Sequence, residues 1–284
     1  MGERILVTGA TGTVGRDVAR LLSKQGAAVR AGVRDQAKAT KQLGNRIELA
    51  TFDFENEQTF APALDGVAKV FLLPPLSPNQ LELMNRFVDA AKHAGARCIV
   101  KLSAIGIDNS AQFTAGKWHG ANEQHIRESG LDFTFLRPNS FMQNFINHFP
   151  PRNGAIYLPW GNGTASFVDT RDVASVAAKA LTEEGHVGKI YTLTGPAALG
   201  IAEVARILSE AAGREIHYVD VPENAARDGM LQAGVPKWLA ELILELHEIN
   251  KQNRWSFVTS DVENVTGAPA TTFSQFARDH AEKF

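Results

Sequence analysis

Three glycines near the start of the chain have the spacing of a phosphate-binding turn. Gly9, Gly12 and Gly15 lie in the stretch TGATGTVG, which follows an apolar run and precedes an amphipathic one. Glycine permits a tight turn, a close approach of the backbone to a pyrophosphate, and close packing of the next helix on the strand. The amides and positive end of that helix favour bound phosphate. We therefore predict dinucleotide contacts at Thr8, Gly9, Thr11, Gly12, Thr13, Val14 and Gly15.

The residues after the second apolar run indicate which dinucleotide binds. This position, about 20 residues beyond the glycines, meets the adenosine ribose, and an acidic residue there accepts a hydrogen bond from the 2′-hydroxyl of NAD. The chain has Arg34 there, and Lys38 follows four residues later on the same face of the next helix. Two cations suit a 2′-phosphate, so we predict NADP, with NADPH preferred over NADH. Asp35 keeps the NAD alternative open, because it could turn inward.

Two further strand ends should contact the cofactor. Asp53 and Phe54 end the third run as FDF, where the carboxylate could accept from the adenine amino group and the ring could lie beside the base. The alternative for Asp53 is a cap on the following helix. Leu73 and Pro74 end the fourth run, and we expect them to touch the cofactor through backbone and apolar surface.

The stretch FTAGKWHGANEQH, residues 113–125, contains the other side chains that could do chemistry. On a helix, Ala115, His119 and Glu123 form one stripe at intervals of four residues. Lys117 is rotated about 200° from His119, at 100° per residue. Only one of these two bases can therefore face a ligand, and Glu123 is interpreted as structural.

Alternating short and long runs supply the elements that position these residues. Strands are predicted at 5–8, 28–33, 47–52, 68–73, 97–103 and 132–137, with helices between them at 14–25, 36–43, 57–64, 78–94 and 116–129. Successive crossovers of this kind are typical of an α/β, Rossmann-like, doubly wound parallel sheet. We assign residues 1–150 to this NAD(P)-binding domain. Residues 151–284 form a smaller, mostly helical C-terminal lobe, partly interleaved with the first domain, in which ASFVDT is predicted to be a strand.

Composition excludes several other functions. The formal net charge is −2, from 29 Lys plus Arg against 31 Asp plus Glu, so we expect neither nucleic acid nor a membrane as partner. No apolar run approaches the roughly 18 residues of a membrane helix, and MGERILVTGA enters a strand without room for a signal peptide. The histidines lack metal-ligand spacing. We expect a cytoplasmic protein without a metal site.

The motifs together resemble the NmrA-like family of atypical short-chain dehydrogenase/reductases, nearly end to end. They are TGATGTVG, VRD with Lys38, FDF, HGANEQHIRESGLDFTFLRPNSF, FVDTRDVA and LTEEGHVGKIYTLTG. The resemblance implies a Rossmann-like domain, a small C-terminal lobe, a cleft between them and NADPH as cofactor. It points to the quinone reductases and the triphenylmethane- or azo-dye reductases. The family also contains NADP-sensing regulators without turnover.

The resemblance also shows that the chain lacks the tyrosine that short-chain reductases generally use as proton donor. Short-chain reductases generally use YxxxK, and the preferred register puts Ala115 at the tyrosine and His119 at the lysine position. A second register puts Phe113 and Lys117 there, and neither supplies a phenol. We therefore assign His119 to the nicotinamide ribose or the substrate, as the candidate catalytic residue; the alternative is a histidine bonded to a backbone carbonyl. The resemblance also places Ser103 near the nicotinamide.

The missing phenol selects among hydride acceptors. A simple ketone becomes an alkoxide and needs a positioned acid, whereas a quinone, a dye or an iminium delocalises or neutralises the charge. We predict an NADPH-dependent oxidoreductase of a small aromatic or quinone-like substrate, with a homodimer left open. The alternatives are a non-catalytic NADP-sensing protein and a specialised imine or enone reductase. Substrate contacts are expected at Asn139, Phe141, Met142 and Trp160.

Overall fold

The computed structural model describes residues 3–107 and 113–284, and the chain divides into two compact units. Both units are built from discontinuous stretches of chain. The first unit comprises Met1–Ala111, Gly116–Pro138 and Thr170–Thr192, and the second comprises Gln112–Ala115, Asn139–Asp169 and Leu193–Phe284.

The strands and helices follow the chain in alternation through the first unit. The strands are β1 Arg4–Val7, β2 Val29–Val33, β3 Glu48–Thr51, β4 Val67–Leu72, β5 Cys98–Leu102, β6 Asp132–Pro138, β7 Ala155–Leu158, β8 Thr164–Ala165, β9 Lys189–Leu193, β10 Leu199–Gly200 and β11 His217–Asp220. The α-helices are α1 Thr13–Lys24, α2 Gln36–Leu43, α3 Phe60–Leu64, α4 Gln80–His93, α5 Thr114–Ser129, α6 Asn144–Asn147, α7 Thr170–Thr182, α8 Ile201–Ala212, α9 Glu223–Gln232, α10 Lys237–Lys251, α11 Asp261–Thr266 and α12 Phe273–Asp279.

A seven-stranded sheet in the order β3-β2-β1-β4-β5-β6-β9 forms the centre of the first unit. The pairings among β1 to β6 are parallel. Strands β2 and β5 are buried along their whole length, as expected for a sheet covered by helices on both faces. The strand order reverses at β1 and β4, and ligands of such folds bind beyond the carboxyl ends of strands at that reversal. The predicted Rossmann-like fold is confirmed.

An aromatic core fills the space beside β3 and β4 in this unit. The rings of Phe52, Phe60 and Phe87 lie 5.1 to 5.6 Å apart between centroids, in stacked and edge-to-face pairs. Aromatic pairs of this geometry add roughly 0.5–1.5 kcal/mol each beyond their buried area. This core fixes the ends of β3 and β4.

The second unit contains two small sheets and most of the later helices. Strand β7 pairs with β11 in parallel, and β8 pairs with β10 antiparallel. The predicted strand ASFVDT is mostly wrong: only Ala165 lies in a strand, and Val168 makes a single isolated bridge to Phe141. The apolar residues of this segment are buried among helices, and burial without a partner strand produces the same apolar pattern. Among the described residues, no helix is long and apolar enough to cross a membrane.

Candidate functional site

The glycine turn joins β1 to α1 at the reversal of strand order. Gly9 has φ +60°, and its carbonyl accepts from the Gly12 amide at 2.9 Å. A Cβ on Gly15 would lie 2.3 Å from the Gly9 oxygen, so the helix approaches the turn more closely than any side chain permits. Thr8 is buried, and its Oγ1 accepts from the Leu73 amide at 2.8 Å, which ties β1 to β4. Gly9 and Gly15 therefore have a steric reason to be glycine, whereas Gly12 has an ordinary φ of −83° and an added Cβ there would lie 3.2 Å from the Gly9 oxygen.

The first turn of α1 has the properties of an anion site. Its N-cap, Gly12, offers no side-chain cap, and the first turn contains no acidic residue. The amides there are available to a phosphate, and the helix dipole favours one. Thr11 and Thr13 are partly exposed, as are Leu73 and Pro74 at the end of β4, whereas Val14 is buried with its side chain in the core.

The end of β2 presents two cations and a carboxylate that is already engaged. Asp35 is the N-cap of α2, and its Oδ1 accepts from the Lys38 amide at 2.9 Å. Arg34 and Lys38 are exposed, and neither has an ion-pair partner among residues 3–107 and 113–284. The capping bond holds the acidic side chain on the helix, as Ser, Asp and Asn caps do. The arrangement fits a ribose phosphate better than a ribose hydroxyl.

The end of β3 is less favourable to the predicted adenine contacts. Asp53 is half-buried, its Oδ1 accepts from the Glu55 amide at 3.1 Å, and its own amide donates to Thr59 Oγ1. The Phe54 ring lies in the aromatic core, 4.8 Å from the Phe52 centroid. Its burial argues against a ring presented to the base. Asp53 closes a turn, and its second carboxylate oxygen stays a candidate for the adenine amino group.

A buried polar network connects β5 to α5, and Lys101 is at its centre. Lys101 is fully buried, and its Nζ lies 2.9 Å from His119 Nδ1 and 3.2 Å from Ser103 Oγ. Ser103 donates to Glu123 Oε1 at 2.6 Å. Arg137 on β6 holds the same carboxylate through two bonds, Nε to Oε1 at 3.0 Å and Nη2 to Oε2 at 2.5 Å. His119 therefore contacts Lys101 directly, and Glu123 is connected to Lys101 through Ser103. Both residues lie on one stripe of helix α5.

The electrostatics of this network follow from burial and from its excess of cations. Burial lowers the pKa of Lys101 to about 7, against the Glu123 carboxylate, which raises it. Burial and then the Lys101 charge lower the pKa of His119 well below its ordinary value. Burial alone would raise the pKa of Glu123, but the hydrogen bonds from Arg137 and Ser103 and the nearby cations lower it. Near neutral pH the network holds an ionised Glu123, a neutral imidazole and a lysine close to its titration point.

Lys101 is the residue that the sequence reasoning missed. A signal was present: a lysine stands inside the apolar run CIVKL, in a strand buried on both faces. Charged residues are almost never fully buried unless they are paired or functional. Lys117, in contrast, is exposed, as expected for a residue rotated about 200° from His119 on the same helix.

The four predicted substrate residues lie in the second unit, and three of them are buried. Met142 is 1% exposed and Trp160 is 2% exposed, and both belong to the hydrophobic core of that unit. The Trp160 Nε1 donates to His247 Nδ1 at 2.7 Å. Asn139 donates from Nδ2 to Ser166 Oγ and to a backbone carbonyl. Phe141 alone of the four retains exposed surface.

Comparison with known proteins gives matches over nearly the whole chain. A sequence model described as the NmrA-like family matches residues 1–277. An NAD(P)H azoreductase from Xenophilus azovorans is 40% identical over 282 residues, which are 99% of each chain. The crystal structure of a Citrobacter sp. triphenylmethane reductase complexed with NADP(H) superposes with TM-score 0.84 at 26% identity, covering 98% of this chain and 99% of that one. That of an Escherichia coli NADPH-dependent quinone oxidoreductase superposes with TM-score 0.83 at 26% identity, covering 97% and 98%.

Proposed function

The chain belongs to the NmrA-like family, and from this membership and the geometry above we propose that it is an NADPH-dependent oxidoreductase. Its acceptors are small aromatic electrophiles, namely azo or triphenylmethane dyes and quinones. These are the acceptor classes in the names of its relatives, of which the azoreductase is 40% identical to it. A cytoplasmic location belongs to the same proposal, and a homodimer stays a prediction.

The cofactor assignment rests on Arg34 and Lys38, which lie beside an Asp35 whose side chain caps helix α2. The turn at Gly9 to Gly15 leaves the amides of α1 available for the pyrophosphate. Two exposed cations then lie at the strand end that meets the adenosine ribose. Since Asp35 is held by the Lys38 amide at 2.9 Å, the local charge favours a 2′-phosphate. NADPH is therefore the preferred reductant.

The kind of acceptor that can be reduced depends on which side chains near helix α5 could protonate it after hydride transfer. When bound, NADPH supplies a hydride, which leaves the reduced acceptor with a negative charge that must be protonated. In the preferred register, helix α5 has Ala115 at the tyrosine position of the general short-chain YxxxK motif. The hydroxyl of Tyr218, a possible substitute by type, lies 2.9 Å from both the Leu158 carbonyl and Asp220 Oδ1, which share its single proton. His119 is the remaining partly exposed acid or base on that helix stripe. An acceptor that delocalises charge needs no stronger acid than this.

The substrate surface is proposed to include Phe141, because this residue is partly exposed and an aromatic ring could stack on a flat acceptor. Met142 and Trp160 support that surface from the core, and Asn139 orders the backbone around Ser140 by accepting from its amide at 2.7 Å. These three residues are proposed to shape the surface without touching the acceptor.

The test is the consumption of NADPH and of NADH against azo dyes, triphenylmethane dyes, quinones, imines and enones. We expect turnover with NADPH and dyes or quinones. Arg34→Ala and Lys38→Ala should each lower the NADPH-to-NADH ratio of kcat/KM about tenfold, the loss of one charge-assisted contact of roughly 1.5 kcal/mol. Lys41→Ala, an exposed lysine on the same helix, is the matched control.

Each of the other possible results would support a different function for the protein. Tight NADPH binding without turnover of any acceptor would contradict the proposed enzyme activity and favour an NADP-sensing regulator. Turnover limited to imines or enones would indicate a biosynthetic reductase. A preference for NADH would contradict the roles of Arg34 and Lys38.

A further inference from the structure

Lys101 has an arrangement that an ordinary structural lysine lacks. Lys101 is fully buried on the interior strand β5, where an apolar side chain would cost less free energy to bury. Among the described residues no carboxylate contacts its Nζ, since Glu123 reaches it only through Ser103. Its shortest contact is His119 Nδ1, at 2.9 Å. The side chain closest to the Lys101 Nζ is therefore His119, which can itself bind and release a proton.

We propose that Lys101 is a positioning residue that sets the tautomer of His119 and passes a proton through its ring to the reduced acceptor. An ammonium group has three donors and no lone pair, so Nδ1 must accept from it and the ring proton must reside on Nε2. A neutral amine has a lone pair, so it permits the other tautomer, with Nδ1 donating. The charge state of Lys101 thereby decides which nitrogen of His119 carries the proton.

The charged surroundings allow both states of Lys101 near neutral pH. The Glu123 carboxylate stabilises the ammonium form, and Arg137 on β6 opposes it. Arg127, on the same helix as Glu123, holds Glu123 Oε2 at 3.2 Å and adds a further cation to the network. Burial is the largest effect, and together with the charges of Glu123 and Arg137 it brings the pKa of Lys101 to about 7. His119 is partly exposed, so the buried lysine exchanges protons by way of the ring.

The step balances in atoms and charge, and it rests on the proposed function. When bound, NADPH would supply two electrons and one hydrogen as hydride, which would leave the azo nitrogen or quinone oxygen anionic. The His119 Nε2–H bond breaks as the new N–H or O–H bond forms. The Lys101 Nζ–H bond breaks as Nδ1–H forms, so the ring stays neutral and Lys101 becomes an amine. Solvent then supplies one proton to His119 Nε2 while the Nδ1 proton returns to Lys101 Nζ, which restores the starting state before the next turnover.

The first test needs no acceptor. In protein labelled with ¹⁵N-histidine, the Nδ1 and Nε2 shifts of His119 report its tautomer across pH, and the His119→Asn spectrum assigns them. We expect the Nε2–H tautomer at low pH and a change towards Nδ1–H through a midpoint near pH 7, which Lys101→Met abolishes. His125, on the same helix and bonded to Asp89 at 2.7 Å, is the internal control. One unchanged tautomer in the wild type, or the same change in Lys101→Met, would overturn the proposal.

The second test is the pH profile of kcat with NADPH and an azo dye. We expect the wild-type kcat to fall as pH rises through about 7. Lys101→Met should lose that fall and be about 100-fold slower at low pH, the usual size of one acid–base contribution. Unchanged NADPH affinity in Lys101→Met shows that its site is folded, and the His125→Asn variant should keep the wild-type profile. A wild-type profile in Lys101→Met would refute the relay, whereas an inactive wild type with the expected NMR titration would refute only the proposed function.

Discussion

The replacement Lys101→Met should change the pH dependence of stability. Methionine has a similar length and no charge, so it fills the same space without an ionisable group. The wild-type lysine titrates at about 7 in the folded protein, against 10.5 for the ordinary side chain. Between these values the unfolded chain binds more protons than the folded one, so the free energy of unfolding of the wild type rises with pH.

The magnitude follows from the size of that pKa difference. At 1.36 kcal/mol per pH unit, a pKa of about 7 in the folded protein against 10.5 in the unfolded chain corresponds to about 5 kcal/mol over the whole window. About 4 kcal/mol of this falls between roughly pH 6.5 and pH 10. The wild type should therefore gain about 4 kcal/mol relative to Lys101→Met over that range, because most other titrating groups are common to both proteins and cancel.

Urea unfolding at a series of pH values measures this difference, with m-values checked for equality. Lys117→Met is the matched control, since Lys117 lies on the exposed face of α5 and should give a flat difference. A difference between wild type and Lys101→Met that varies by less than about 1 kcal/mol across the range would show that Lys101 is solvated or stays ionised, and would refute the description of the buried network.

Three further changes test other parts of the structure. Gly15→Ala places a Cβ 2.3 Å from a backbone oxygen of the turn and should raise the Kd for NADPH at least about tenfold in calorimetry, while Gly229→Ala, where an added Cβ meets nothing within 4 Å, should not. Asp35→Ala should cost about 1 kcal/mol of unfolding free energy through the lost cap yet keep the NADPH preference, and a gain of that preference would mean that the carboxylate opposes the 2′-phosphate. Glu123→Gln removes the carboxylate from a buried group of cations and should cost about 3–5 kcal/mol in urea unfolding; stability equal to that of Glu128→Gln, an exposed position on the same helix, would contradict the network.

Much of the first unit could be predicted from local sequence. The glycines of the first turn, the β-branched runs and the amphipathic segments encode strand, turn and helix within a few residues of each other. The observed α2, Gln36–Leu43, has the predicted bounds, and the other early elements differ by a few residues at their ends. The predicted helix at 57–64 begins instead with a 3-10 turn at Glu57–Thr59. Helix ends depend on caps, so these shifts are expected.

The second unit was harder to predict because its elements depend on distant partners. The short helices α6, α11 and α12 were not predicted, since four to seven residues are too few for a periodic pattern. The sequence predicts ligand contacts for Phe54, Met142 and Trp160, but aromatic and methionine side chains serve both ligand contact and core packing. Their burial in hydrophobic clusters is a property of the packing around them, which sequence spacing does not reveal.

The sequence by itself predicts the glycine turn, the cations at the end of β2 and the helix stripe of His119 and Glu123, because each depends on residues within two turns of one another. Only the tertiary structure decided that Asp35 caps α2 and that this stripe meets Lys101. The Lys101–His119 contact joins residues 18 apart, on a strand and a helix whose relative rotation is set by packing over the whole unit. A buried lysine acquires a role only from the side chains placed around it, and that placement is decided by the fold.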